Sequence, residues 1–363
     1  MWSALQQVPW GPCVLEPQRD PALENYARRK LGMAIPSLRY FTPVPWLART
    51  TVDVHPEYGL LIHLDQQVAD LVALVVSQEN SCRFCYAAAR AFLWGRGMSR
   101  ERILRVEQDL SRADLSPRAL AAIAFARVQS RSGPVASLAA CAALQAAGYA
   151  RDEMLELMFV IGTLDLMNRV HAISAIPSQQ MEAIPERWHM RVIWPVLMRI
   201  MRGRQSRGIP TPLPTVPDHP FAYQVNAFSG SPIAVVLNGI YNGMWSSPHL
   251  SRRSKLLMLA VIARGLACEV CGRELATALA REGVSESVLD RALAHLDAPG
   301  LPPEERLLLE FARETIWFEP GAIQRRARAL GERLSREQLL EAIGVVSVGN
   351  GFCRMGASIV SAT

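Results

Sequence analysis

Two Cys-x-x-Cys pairs, Cys82/Cys85 and Cys268/Cys271, lie 186 residues apart, and the sequence around them repeats at the same interval. Gly97 falls on Gly283, Ser99 on Ser285, Leu115 on Leu301, Pro117 on Pro303 and Pro134 on Pro320, while Phe125, Ala126 and Arg127 fall on Phe311, Ala312 and Arg313. One-residue gaps carry the match outward: Phe41 and Pro45 meet Phe228 and Pro232 at 187, and Arg151, Glu156 and Arg169 meet Arg336, Glu341 and Arg354 at 185. A period of this length asks both halves to satisfy one fold. The expectation is a duplication, with an N-terminal arm over 1–36, one unit over 37–180, a basic helix and Pro-rich linker over 181–219, and a second unit over 220–363.

Each unit reads as helical. Val68, Leu71, Val72, Val75 and Val76 follow the i, i+3, i+4, i+7, i+8 spacing of an amphipathic helix, and Leu257, Met258, Val261 and Ile262 keep four of those five positions apolar in the second half. Gly97 with Ser99, and Gly283 with Ser285, read as a helix stop followed by the next N-cap. Apolar periodicity continues over 120–128, 138–146 and 154–167, and no segment alternates as a strand does. The fold class expected is all-α: two tandem bundles of about five or six helices each.

The 363 residues are 50% hydrophobic and 20% charged, enough apolar material for buried cores. Net charge is +6, but only two of the 39 basic residues are lysines, and the arginines are dispersed at helix-surface spacing. That dispersion argues against nucleic acid as a partner. Apolar runs reach about eight residues, short of the roughly 20 that span a bilayer, and the first residues lack a secretory pattern, so the expectation is a cytoplasmic chain with no membrane partner.

Four of the seven cysteines fall in the two pairs. In a reducing compartment this argues for redox or metal chemistry before structural disulfides. Asn80 and Ser81 read as a helix end and a cap, which places Cys82 in the first turn of the next helix, where backbone amides favour a thiolate; Gly265 supplies the corresponding break in the second half. Four thiols brought together would suit tetrahedral zinc, but zinc knuckles ordinarily sit on turns and not in amphipathic helical segments, so no metal and no cofactor are expected.

The run Asp70, Leu71, Val72, Ala73, Leu74, Val75, Val76, Ser77, followed by Cys82, Arg83, Phe84 and Cys85, resembles the alkylhydroperoxidase D-like branch of the carboxymuconolactone decarboxylase superfamily, whose motif is Glu-x11-Cys-x2-Cys-x3-His. Met167, Asn168 and Arg169 are similar to a run in its peroxidase-related members. The resemblance covers most of the first unit and, more faintly, the second, and implies two tandem alkylhydroperoxidase D-like helical bundles. It implies reduction of peroxides or disulfides through a CxxC pair, with Cys85 as the peroxide-reactive thiol, Cys82 as the resolving thiol, Asp70 as a shortened relay acid, and Cys268 and Cys271 as the second pair. Position alone favours Cys82, nearer the helix start, as the readier thiolate. The partners implied are a peroxide or disulfide substrate and an external dithiol reductant, with homo-oligomer formation left open.

The departures from the motif are specific. The relay histidine falls on Ala89 in the first unit and Leu275 in the second, and the second relay acid falls on Leu256. His63, two turns before Asp70, reads first as a surface or capping histidine; Glu274 reads as an exposed helix glutamate; His171 and Cys353 lie where the final helix of each unit would approach its pair. The losses support a second reading, a degenerate binding or scaffolding member. A cofactor-free non-redox enzyme of the superfamily is a third, against which the two retained pairs count.

Overall fold

In the computed structural model, the residues described are 7–33, 35–55, 59–110, 113–131, 134–178, 188–189, 192–194, 196, 219–297 and 300–362. Proline sets many of the helix starts, because at N1 its fixed φ suits the helix and its missing N–H is not needed. It does so in α1 (Pro21–Leu31), α2 (Pro45–Asp53), α10 (Pro232–Ser246), α14 (Pro303–Glu314) and α15 (Pro320–Gly331). The others are α3 (Gln66–Glu79), α4 (Arg83–Gly95), α5 (Arg100–Gln108), α6 (Pro117–Arg131), α7 (Pro134–Ala146), α8 (Arg151–Ile173), α9 (Ala222–Ala227), α11 (Arg252–Gly265), α12 (Glu269–Arg281), α13 (Glu286–His295) and α16 (Arg336–Ala362). The described residues contain no strand, so the fold is all-α. The stop-and-cap signals stand where they were read: Gly97 and Gly283 are left-handed, and the Ser99 and Ser285 hydroxyls accept the Arg102 and Val288 N–H groups.

Helices are more numerous than five or six per half, and the halves are not separate bundles. One buried apolar cluster runs through both, and a smaller one lies among α3 to α6. Trp46 of α2 wedges between α10 and α16: a Cβ on Gly243 would stand 2.6 Å from Trp46 Cβ, and one on Gly344 2.9 Å from its ring. Among the described elements, the two long helices α8 and α16 make the most extensive contact. They touch backbone to backbone, since a Cβ on Gly351 would collide with the Gly162 carbonyl, and one on Gly162 would stand 3.2 Å from the Gly351 carbonyl. Along residues 336–360, α16 is long and apolar enough to cross a membrane, but 89% of its most apolar window is buried inside the protein, as in a core helix. The N-terminal arm is tied down by Val14, whose N–H donates to the Ser174 carbonyl at 2.9 Å, and by Gly11, whose N–H donates to Gln324 at 2.9 Å.

The loops entering α3 and α11 are fixed by buried glutamates at equivalent places on the long helices. Glu156 accepts the N–H groups of Ile62, His63 and Leu64 at 2.6–3.1 Å. Glu341 accepts the Leu250 N–H at 3.2 Å and pairs with the fully buried Lys255 at 2.6 Å. Most of the basic helix and Pro-rich linker expected over 181–219 lies outside the described residues; of it, Trp194 is buried and donates to the Ala91 carbonyl at 2.8 Å, while Trp188 is exposed.

The backbone crossing yields a direct test. Gly351→Ala overpacks the α8–α16 contact and is expected to lower stability by about 1–3 kcal/mol. Gly239→Ala, within α10 with nothing in reach of the added methyl, is expected to raise it by up to about 1 kcal/mol. Denaturant unfolding of the two variants measures both signs.

Candidate functional site

Each CxxC pair sits where an antiparallel helix hairpin turns. Asn80 ends α3, Ser81 takes a left-handed φ of 50°, and Cys82 is itself the N-cap of α4. In the second half Leu266 ends α11, Ala267 takes a φ of 54°, and Cys268 is the N-cap of α12. The sequence reading placed Cys82 one step later, in the first turn. The tight left-handed corner uses up Ser81, so the thiol takes the capping role and Cys82 Sγ accepts the Cys85 N–H at 3.3 Å.

In both pairs the thiols are free, with sulfurs 2.7 Å apart in Cys82/Cys85 and 2.6 Å apart in Cys268/Cys271. Their surroundings differ. Cys82 is fully buried and Cys85 is half-buried, whereas Cys268 and Cys271 are both buried. Burial, reinforced by Cys82, pushes the Cys85 thiol up from its ordinary value; burial does the same at Cys271, and the bond with Cys271 followed by burial at Cys268. Cys85, Cys268 and Cys271 are therefore held as thiols until a neighbouring group takes a proton.

Asp70 is not beside the first pair. Its carboxylate is buried against the Arg96 guanidinium, just past the far end of α4, and accepts from Gln66 Nε2 at 3.3 Å. Arg96 follows Cys85 by eleven residues, about 16 Å along a helix. With Gln66, Arg96 and Arg102, Asp70 lines a cavity of about 370 Å³ at that end of the hairpin. Helices α3 and α4 run antiparallel, so a residue early in α3 meets the end of α4 and not its start. His63 is exposed, with its backbone held by Glu156, as expected of a surface histidine.

His171 does approach the first pair. Its ring stacks on Phe84, between the two cysteines, with centroids 4.4 Å apart, and Phe41 meets it edge-on. His171 Nδ1 lies 2.8 Å from the Met167 carbonyl, so Nδ1 carries the proton and Nε2, buried and without a hydrogen-bond partner, keeps its lone pair. Burial, with the nearby charge of His55, pushes this imidazole down to about 4, so it is neutral at pH 7.

Around the second pair the sequence reading missed Tyr223. Its hydroxyl lies 3.4 Å from Cys271 Sγ. Glu274, expected as an exposed glutamate, is half-buried and accepts the Phe221 N–H at 2.6 Å, which clips α9 against the face of α12 that carries Cys271. Cys271 Sγ also faces the Cys353 carbonyl at 4.0 Å. No signal marks Tyr223 in the sequence, because the 187-residue offset places it on Pro36. The described residues contain no group of three metal-ligating side chains, and the four thiols are not gathered into one cluster.

A stretch containing the first hairpin and its CxxC pair matches a known family model, described as CMD: Carboxymuconolactone decarboxylase family. Residues 61–128 carry a carboxymuconolactone decarboxylase family domain. That domain takes in α3, α4, α5 and most of α6, and therefore both Cys82 and Cys85. No curated protein matches the chain.

The state of His171 makes stability pH-dependent with a definite sign. The folded value of about 4 lies below the ordinary value of 6.5, so between these two the unfolded chain binds a proton that the folded chain does not. Stability falls as pH is lowered through that window, by about 3 kcal/mol in all. Denaturant midpoints measured from pH 7 to 4 for the parent and His171→Phe, which keeps the ring stack, are expected to fall more steeply in the parent, by the loss the variant lacks.

Proposed function

We propose that the chain is a thiol–disulfide oxidoreductase, of the peroxidase type, that reduces peroxides or disulfides through Cys82 and Cys85. The observation that carries the reading is the capped hairpin corner, which sets a half-buried thiol 2.7 Å from a fully buried one at a helix start, inside the family domain. This geometry suits a pair that cycles between dithiol and disulfide. The sequence resemblance to the alkylhydroperoxidase D-like branch supports it, as does the recurrence of the corner at Cys268, which is also the support for reading the chain as a tandem duplication.

Access supports the order the resemblance implies. A substrate from solvent meets Cys85 first, and its thiolate attacks one peroxide oxygen, releasing the other as hydroxide or alkoxide and leaving a sulfenic acid. Cys82 then attacks that sulfur, water departs and a disulfide closes; an external dithiol restores both thiols with two electrons and two protons. Burial holds Cys85 as a thiol, so its attack requires a base, and Asp70, held by Arg96 at the far end of the hairpin, does not supply it.

The competing reading is a non-catalytic binding member, favoured by the apolar residues Ala89 and Leu275 at the relay positions. Turnover of hydrogen peroxide or tert-butyl hydroperoxide with dithiothreitol separates the two. Cys85→Ser is expected to reduce turnover at least about 100-fold, and Cys82→Ser to leave a dimedone-reactive sulfenic acid at Cys85. A chain whose Cys82 and Cys85 stay reduced under peroxide, with no turnover to lose, belongs to the binding reading.

A further inference from the structure

The long helices α8 and α16 place equivalent residues in equivalent work. At the 185-residue offset Glu156 meets Glu341, each holding the loop before a hairpin, and Arg169 meets Arg354, both donating to the Ile316 carbonyl, at 3.4 and 3.3 Å. The same offset carries His171 onto Gly356. In the first half that position supplies the imidazole stacked on Phe84, the residue before Cys85; in the second it supplies no side chain.

The space is nevertheless filled by a polar group. A Cβ on Gly356 would collide with the Tyr223 hydroxyl and stand 2.6 Å from Gln224 Nε2. The phenol thus arrives from α9 at the place a side chain of α16 would occupy, with its hydroxyl on Cys271 Sγ. Its orientation is set from behind. Tyr241 donates its hydroxyl to Gln224 Oε1 at 2.5 Å, which fixes the amide, and Gln224 Nε2 then donates to Tyr223 Oη at 3.1 Å and to the Phe352 carbonyl at 3.0 Å. With its oxygen accepting from Gln224, Tyr223 has its own proton free to donate to sulfur.

We infer that Tyr223 is a catalytic residue of a second thiol–disulfide site at Cys268/Cys271, donating a hydrogen bond to Cys271 as that sulfur leaves, and that the co-substrate of this site is a dithiol or its disulfide. The inference rests on the reading of the CxxC pairs as redox-active. In the reductive direction a thiolate of the external dithiol attacks Cys268, the N-cap thiol, whose chain neighbours Ala267 and Glu269 are exposed. The Cys268–Cys271 bond breaks, its electron pair departs on Cys271 Sγ under the Tyr223 hydroxyl, and that sulfur takes a proton. The second thiol of the dithiol then closes on the first, expelling Cys268, which is protonated in turn. The dithiol loses two electrons and two protons, and the pair gains both.

The phenol stays protonated throughout the working range, since burial and the neighbouring Cys271 raise it well above its ordinary value. A donor of this kind is worth about a factor of ten in leaving-group rate. The test uses the full chain, oxidised with diamide and reduced by dithiothreitol at pH 7, with differential alkylation and mass spectrometry reading the Cys268/Cys271 and Cys82/Cys85 peptides separately. Tyr223→Phe is expected to slow reduction at Cys268/Cys271 about tenfold and to leave the rate at Cys82/Cys85 unchanged. Gly356→Ala, which pushes the hydroxyl off Cys271 while Tyr223 remains, is expected to give the same selective loss. Parent-like reduction at Cys268/Cys271 in Tyr223→Phe overturns the inference, and so does failure of diamide to form that disulfide in the parent. Inert Cys82/Cys85 thiols, read in the same digest, would instead count against the function proposed for the first pair.

Discussion

The structure is organised around a buried charge cluster that joins the two long helices to the end of α14. Asp165 and Arg169 pair at 3.5 Å on α8, both buried, and Arg354 on α16 brings a second guanidinium with no carboxylate of its own. Two arginines and one aspartate would leave a positive charge stranded in an apolar interior. It is met by oriented carbonyls: Arg169 donates to Thr315 and Ile316, and Arg354 to Ile316 and to Asn350. The Thr315 and Ile316 carbonyls lie at the C-terminus of α14, where the helix dipole is negative. The residual cost remains visible, since burial and the charge of Arg169 push Arg354 down to about 9. Removing Asp165 alone would strand two buried cations, the kind of loss that costs about 3–5 kcal/mol.

This cluster reaches the first CxxC corner directly. Asn80, the residue that ends α3, donates to Asp165 at 2.6 Å and accepts from Arg169 at 3.4 Å. Two residues later stands Cys82. The left-handed turn at Ser81 and the capping geometry of Cys82 are therefore anchored to the most constrained part of the interior, and not to a loop free to relax. A dithiol pair benefits from such an anchor, because the separation of its sulfurs is fixed by the backbone on which they stand.

Helix identity, the stop-and-cap pairs at Gly97/Ser99 and Gly283/Ser285, and the siting of both CxxC pairs at helix starts were legible because each rests on residues close in sequence. The position of Asp70 was not. Its fate is decided by Arg96, which antiparallel packing of α3 and α4 brings opposite it, and motif spacing carries no information about that packing. Glu274 misled in the same way: its spacing suits an exposed face, but α9 folds back over it and turns it into a backbone anchor. Tyr223 lies outside every motif and 48 residues from the cysteine it touches. The interleaving of the halves was hidden too, because an apolar residue such as Trp46 reads alike whether it packs within its own unit or, as here, against Gly243 and Gly344 of the other.

The difference between His171 and Gly356 follows from having both long helices in one chain. In an assembly of identical subunits every copy of a position carries the same side chain, so an imidazole beside one CxxC pair stands beside them all. Here the two positions are separate codons. Glycine at 356 gives up an imidazole but opens room for a phenol held by Gln224 and Tyr241, a group that stays protonated where His171 stays neutral. Unequal corners of this kind are open to a single chain and forbidden between the subunits of a symmetric dimer.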